Sequence, residues 1–151
     1  MEDLQKTDRD FWMNRAIEES QKSTCIRQEF RIGAIAVFNN NLLAFGHNGA
    51  PGNIPPCETR GYCIRKHLKI PSGIQREVAY CICAEQHMIC NAARDGIRLN
   101  GAEVYVTHKP CAVCVRLMIK CGVVRAFYKN EYPGHFTDEL CEMSGFELVK
   151  L

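Results

Sequence analysis

The chain has 151 residues and a formal net charge of +2, and its length is typical of one globular domain. Hydrophobic residues make up 46% of it and charged residues 24%, an ordinary balance that excludes disordered and fibrous proteins. The apolar stretches are too short to cross a bilayer, and the N-terminal residues are too polar for a signal peptide. We therefore expect a cytoplasmic protein with no membrane partner, and the weak positive charge also argues against a nucleic-acid partner.

Hydrophobic periodicity predicts helices and strands that alternate along the chain. Residues 8–23 are predicted to form an amphipathic helix capped by Asp8. Two strands, at 32–38 and 42–47, are predicted to be joined by an Asn-rich turn. Later elements are predicted as helices at 84–94, 112–121 and 136–143 and as strands at 102–107, 123–128 and 146–149. This alternation favours a layered α/β fold.

The stretch from residue 49 to about residue 81 is predicted to be a loop-rich insertion within a single domain of residues 1–151. Periodicity is lost after Gly49, and four prolines occur before Gly73. Loops of this length in compact domains are usually functional. The arginines and lysines of this stretch are either phosphate-binding residues or a solvated face, and the sequence leaves both interpretations open.

Cysteine is unusually frequent, with ten in a chain for which we expect no export signal. In a reducing compartment this frequency indicates metal binding before disulfides. Cys83 stands at the start of one predicted helix, and Cys111 and Cys114 stand at the start of the next. Because a helix N-terminus favours thiolate over thiol, three thiolates are expected to meet at one zinc ion.

Glu85 stands two residues after Cys83 and bears on whether the predicted zinc is catalytic or structural. Three protein ligands leave a fourth position open for water, which is typical of a catalytic zinc, and Glu85 is placed to handle that water's proton. The alternative is a closed structural zinc with Glu85 on the helix surface. A structural site would require a fourth ligand, so the catalytic interpretation is favoured.

These motifs and their surroundings resemble the zinc nucleobase deaminases, in which H-x-E is followed by P-C-x-x-C. Here 25 residues separate Glu85 from Cys111. The chain is most similar to the deoxycytidylate (dCMP) deaminases over about residues 10–150, and its segment 46–52 is close to their G-Y-N-G-x-P motif. The resemblance implies a three-layer α/β/α fold of the cytidine deaminase type, with a central mixed sheet of about five strands.

The same resemblance implies a reaction, a cofactor and partners. The reaction is hydrolysis of dCMP to dUMP and ammonia, with one catalytic Zn²⁺ and with Glu85 as general acid and base. Asn48 is expected to contact the sugar and Tyr132 to lie near the base, and Arg27 is a candidate for the phosphate. A dCTP or dTTP effector and a homo-oligomer, dimeric or hexameric, are further expectations. Asn48 is also typical of a tight turn, so a structural role for it stays open.

One departure concerns the first zinc ligand, because members of the resembled family usually have His where this chain has Cys83. Three thiolates around zinc carry a formal charge of −1, whereas His and two thiolates are neutral. We therefore expect hydrogen bonds or an arginine near the sulfurs to withdraw the excess charge. The sequence does not identify which arginine does so.

A second, structural zinc is an open alternative, since several relatives use one to tie the insertion to the body. The candidate ligands are Cys25, Cys57, Cys63, His67 and Cys81. Their spacing is irregular, so spacing alone does not decide the question. Such a metal would give a loop with little apolar content a reason to be ordered.

Two other functions stay open. The first keeps the zinc chemistry and changes the substrate to cytidine, a modified or antibiotic nucleoside, guanine or an adenosine in tRNA. The second is a non-catalytic metal-binding or nucleotide-sensing protein of this fold. Glu85 argues against the second, because a carboxylate has little structural purpose beside a metal bound by thiolates.

Overall fold

The computed structural model describes residues 2–151, which form a five-stranded sheet flanked by helices. The strands are β1 (Gly33–Phe38), β2 (Asn41–His47), β3 (Glu103–His108), β4 (Arg125–Asn130) and β5 (Glu147–Lys150). The helices are α1 (Glu2–Ser20), α2 (Cys57–Arg60), α3 (Ile64–His67), α4 (Ala84–Asp95), α5 (Ala112–Lys120) and α6 (Thr137–Ser144). No helix within residues 2–151 combines the length and the apolarity needed to span a bilayer.

The sheet is mixed, with strand order β2-β1-β3-β4-β5. Strand β1 runs antiparallel to both of its neighbours, whereas β3, β4 and β5 are parallel. The predicted hairpin between β1 and β2 is confirmed, and Asn39 and Asn40 take the left-handed backbone conformation that tight hairpin turns require. The parallel strands are joined through α5 and α6, as crossover connections demand.

Helices cover both faces of the sheet, so the predicted three-layer α/β/α architecture is confirmed. Successive strand residues point to opposite faces. Ile35 and its neighbour-strand residues Tyr105 and Phe127 pack against α1, where Trp12 is buried. The alternate residues pack against α4 and α5, in a core that contains Ala34, Ala36, Met88, Val104, Val106, Val115, Met118 and Ala126.

The structure corrects the predicted start of the first helix. Helix α1 begins at Glu2 and ends at Ser20, so Asp8 lies inside the helix and does not cap it. The prediction placed the start at the first apolar periodicity, but residues 2–7 contain neither Gly nor Pro, so nothing in the sequence interrupts the helix there. The other predicted elements are present, with boundaries shifted by one or two residues, and a short 3₁₀ turn at Gln28–Phe30 was not predicted.

Gly46 allows helix α4 to lie directly on strand β2. A side-chain Cβ at this position would collide with the backbone nitrogen of Met88 and would lie 2.7 Å from the carbonyl oxygen of Ala84. Because both are backbone atoms of the helix, they cannot rotate away. The contact therefore fixes the start of α4, next to Cys83 and Glu85.

Gly46→Ala is expected to lower the free energy of unfolding by about 3 kcal/mol, since the added methyl group must push the helix off the sheet. Urea denaturation measures this change. Gly96→Ala is the matched control, because Gly96 ends the same helix at φ 70° with no atom within 4 Å of a Cβ. It should cost only about 1 kcal/mol of left-handed backbone strain. Equal costs for the two variants would contradict the proposed close contact.

Candidate active site

The candidate site lies where the parallel strands β3 and β4 end. Cys111 follows β3 after two residues, and Tyr132 follows β4 after one. The two connections are joined because the backbone nitrogen of Lys109 donates to the carbonyl oxygen of Asn130 at 2.8 Å. Carboxyl ends of neighbouring parallel strands meet at one edge of a sheet, which is the usual place for a ligand in an α/β fold.

Three cysteines meet there at two helix N-termini. Cys83 precedes the first residue of α4, Cys111 precedes that of α5, and Cys114 lies in the first turn of α5. Their sulfurs lie within 4.8 Å of one another, and within the described part of the chain no other three metal-ligating side chains approach so closely. Sulfurs bound to one tetrahedral zinc at about 2.3 Å are about 3.8 Å apart, so this donor set fits zinc.

The three thiols share negative charge unequally. Hydrogen bonds from Cys114 and Cys83 lower the pKa of Cys111, because they stabilise its thiolate. The hydrogen bond to Cys111 raises the pKa of Cys83, and the same interaction raises that of Cys114. The cluster therefore holds protons that a bound metal would displace.

Glu85 is buried beside these sulfurs, with 4% of its surface exposed. Burial, and then the negative charge of Cys111, raises the pKa of Glu85 to about 7. A carboxyl group with such a pKa can both accept and donate a proton at neutral pH. The predicted proton carrier thus lies next to the predicted metal ligands.

Arg76 is a site residue that the sequence analysis did not identify. Its Nη2 donates to Cys83 Sγ at 3.0 Å and its Nη1 donates to the hydroxyl oxygen of Tyr132 at 3.1 Å. It lies in the irregular segment of the insertion, where neither periodicity nor a motif distinguishes it from the other basic residues. The contact joins the predicted base-facing tyrosine to the predicted metal ligand.

Most of the hydrogen-bonding capacity of the Asn48 side chain is taken up by groups of the protein itself. Its Oδ1 accepts from the backbone nitrogen of Ile32 at 2.8 Å and from Ser23 Oγ at 2.7 Å. Its Nδ2 donates to the carbonyl oxygen of Phe30 at 2.8 Å. One N–H of the carboxamide is left for a sugar. These bonds favour the structural role that the sequence left open, and the sugar contact stays a prediction.

Arg27 lies at one end of a chain of aromatic contacts that leads to the site. Its guanidinium stacks 4.3 Å from the ring centroid of Phe30, and Phe30 meets Tyr132 edge-on at 5.7 Å. Arg27 also lines a cavity of about 370 Å³ together with Lys66 and His67. Three basic side chains around one cavity suit an anionic group such as a phosphate.

Four of the five candidate ligands for a second metal form a second group. Burial raises the pKa of Cys81, and the charges of Cys57, Cys25 and Cys63 raise it further. Within the described residues, however, no three of these sulfurs lie within 4.8 Å of one another. Cys25, Cys57 and Cys81 also line one cavity of about 10 Å³, which is room for a single water-sized particle. His67 packs edge-on against Tyr62.

The fold and this arrangement of cysteines and glutamate are those of the zinc-binding deaminases. Residues 6–130 match the cytidine and deoxycytidylate deaminase zinc-binding region, and the chain belongs to that family.

Several relatives are similar over most of this chain. ComE operon protein 2 of Bacillus subtilis is 32% identical over 125 residues, which cover 82% of this chain and 60% of that protein. The deoxycytidylate deaminase of Schizosaccharomyces pombe is 27% identical over 139 residues, which cover 91% of this chain and 42% of that enzyme. The chain therefore spans less than two thirds of the length of either relative.

Among solved structures, a crystal structure of the dCMP deaminase of cyanophage S-TIM5, in complex with dCMP and dUMP, resembles this fold. The TM-score is 0.75 at 27% sequence identity, and the match covers 94% of this chain and 95% of that chain.

Asn48→Ala is expected to lower the free energy of unfolding by about 3 kcal/mol, because three hydrogen bonds are lost and a backbone N–H is left unpaired. Thermal and urea denaturation measure the loss. Asn53→Ala, at an exposed position five residues further along the chain, should change stability by no more than about 0.5 kcal/mol. Wild-type stability of Asn48→Ala, combined with a raised KM for nucleotide, would instead assign Asn48 mainly to the substrate.

Proposed function

We propose that this chain is a zinc-dependent hydrolase that deaminates a cytosine nucleotide, converting dCMP and water to dUMP and ammonia. The observation that carries the proposal is the Glu85 carboxyl group, buried beside three sulfurs that fit zinc. The family to which the chain belongs and the relatives named deoxycytidylate deaminase support the choice of substrate.

We assign the metal to Cys83, Cys111 and Cys114. Zinc with three protein ligands supplies Lewis acidity and lowers the pKa of water at an open fourth position. Glu85 accepts one proton from the attacking water and delivers it to ring N3 while the C4–O bond forms. It then accepts the remaining proton of the new C4 hydroxyl group and delivers it to the amino group at C4. The C4–N bond breaks, ammonia leaves, and the ring retains the oxygen from water.

Recognition of the nucleotide is assigned to residues around this centre. Tyr132 lies on the base side, held by Arg76 at one edge and by Phe30 at the other. The cavity lined by Arg27 and Lys66 is our candidate for the phosphate, because two cationic side chains suit its charge. A free nucleoside would leave this positive charge without a partner.

The two alternative functions are less well supported. Another amino-bearing base would use the same metal and Glu85, but the relatives named above favour dCMP. A non-catalytic protein would gain nothing from Glu85, because burying a carboxyl group beside sulfur anions costs stability. The dCTP or dTTP effector, the homo-oligomer and the cytoplasmic location remain predictions.

We also propose a second, structural zinc bound by Cys25, Cys57, Cys63 and Cys81, with His67 outside the ligand set. Four thiolates complete a tetrahedral site and leave no open position, as structural zinc requires. Arg60 supports this choice, because its Nη2 donates to Cys57 Sγ at 3.3 Å and offsets part of the negative charge.

Zinc-loaded protein is expected to release ammonia from dCMP and much less from deoxycytidine or CMP. The comparison of initial rates tests the substrate, and Glu85→Ala should reduce the rate by at least about 10³-fold while zinc stays bound, because it removes the proton carrier. Turnover of none of the three compounds by zinc-loaded protein would contradict the proposal. Loss of zinc from Glu85→Ala would mean that Glu85 is a ligand.

The variant Arg27→Gln tests, in the same assay, whether Arg27 binds the phosphate of the substrate. It should raise KM for dCMP and leave the slow turnover of deoxycytidine unchanged, because only the nucleotide carries the phosphate. Equal effects on both substrates would place the phosphate elsewhere.

Purified protein is expected to contain about two zinc ions per chain by elemental mass spectrometry. Cys57→Ser should lose one ion, because the closed four-ligand site then lacks one of its ligands, and His67→Ala should keep both. An unchanged zinc content in Cys57→Ser would reject the second site, whereas a loss in His67→Ala would place His67 in it.

A further inference from the structure

The net negative charge of the proposed three-sulfur zinc site is not neutralised by the site's own ligands. Cys83, Cys111 and Cys114 as thiolates give a divalent zinc a net charge of −1, and Glu85 adds a further ionisable group nearby. All of these groups lie in or against the protein interior, where uncompensated charge is costly. A cation is therefore needed close to the sulfurs.

Arg76 is placed to meet this need. Its Nη2 lies 3.0 Å from Cys83 Sγ, and hydrogen bonds between charged partners are about twice as strong as neutral ones. Its other terminal nitrogen, Nη1, donates to the hydroxyl oxygen of Tyr132 at 3.1 Å, so the guanidinium is fixed at two points. Arginine remains protonated under these conditions, so the cation is permanent.

The segment that carries Arg76 is held by a second arginine. Arg65 is 4% exposed and donates to four backbone carbonyl oxygens of one turn, those of Pro71, Ile74, Gln75 and Val78. These bonds replace an apolar core in a stretch that has almost none. The turn is thereby fixed on both sides of Arg76.

Gly73 brings this turn against the segment that carries Tyr132. At Gly73, φ is 86°, and a Cβ there would collide with the carbonyl oxygen of Pro133. Only glycine tolerates both the left-handed backbone and this close approach. Arg76 thus reaches Cys83 and Tyr132 from a backbone position fixed by neighbours on either side.

We propose that Arg76 is the charge partner of Cys83, and that cysteine at this ligand position and arginine at position 76 form a matched pair. The guanidinium neutralises the excess charge of three thiolates around the metal. With a neutral histidine at position 83, the same guanidinium would lose its anionic acceptor and keep only the neutral hydroxyl oxygen of Tyr132. This inference rests on the metal assignment of the proposed function.

Arg76 also determines how Tyr132 presents its hydroxyl group. A guanidinium has no acceptor, so the Tyr132 oxygen must accept from Nη1, and its own proton is left free to donate. Tyr132 is therefore oriented as a hydrogen-bond donor, suited to a carbonyl or phosphate oxygen of the substrate. Arg76 acts on the reaction as a positioning residue, through Cys83 and Tyr132.

A double-mutant cycle with Arg76→Gln and Cys83→His tests the pairing. Zinc affinity is measured by chelator competition, and the Cys114→Ser variant identifies which phase of zinc release belongs to this site. In the Cys83 background, Arg76→Gln should weaken zinc binding on the order of 10- to 100-fold, the value of a charged hydrogen bond. In the Cys83→His background the same change should be neutral or should tighten binding.

Two further variants keep the outcome unambiguous. Arg76→Lys keeps the charge and should retain more affinity than Arg76→Gln in the Cys83 background only. Arg116→Gln, at an exposed position of α5, controls for the loss of one positive charge and should leave zinc affinity unchanged. Circular dichroism confirms that each variant is folded.

Equal losses in both backgrounds would mean that Arg76 only holds its turn, and would overturn the pairing. An absence of any loss in the Cys83 background would overturn it as well. Zinc affinity is read without a substrate, so protein that binds zinc but leaves dCMP unchanged would refute the proposed function and still decide the role of Arg76.

Discussion

Negative charge collected in a small buried volume is the constraint on which the rest of this structure depends. Two helix N-termini bring three sulfurs together, and each helix end contributes partial positive charge to its own cysteine. With a divalent metal bound as proposed, three thiolates still leave a formal charge of −1 beside a carboxyl group. The insertion supplies a further cation through Arg76, which stands seven residues before Cys83.

The insertion is ordered by polar contacts rather than by an apolar core. Arg65 satisfies several backbone carbonyls that would otherwise be buried without donors, which is a direct cost in any loop that lies on a protein. Arg60 stacks 4.3 Å from the ring centroid of Tyr80 and donates to Cys57. Arginine thus has two roles in the insertion: it donates hydrogen bonds to backbone carbonyl oxygens, and it places positive charge next to a cysteine sulfur.

Local sequence predicted those parts of the molecule that depend on local physics. Strand alternation and helix periodicity are read within a few residues, and the cysteines of the metal site stand at helix starts, where spacing alone brings Cys111 and Cys114 to one side. Arg76 could not be found in this way, because its partners, Cys83 and Tyr132, are brought to it by the fold. The turn that carries Arg76 is held by hydrogen bonds to its backbone carbonyl oxygens. Such bonds do not depend on the side chains of the turn, so they produce no periodic pattern in the sequence.

The two cysteine groups are mechanically connected. Cys81 belongs to one and Cys83 to the other, and the residue between them, Ile82, is fixed to Gly49 by two backbone hydrogen bonds of 2.9 and 3.3 Å. Gly49 follows Asn48, whose side chain is itself bound to three parts of the chain. A shift of Cys81 is therefore not absorbed by a flexible linker, because the segment between the groups is held at its centre. The position of Cys81 is thereby tied to the start of α4, where Cys83 and Glu85 lie.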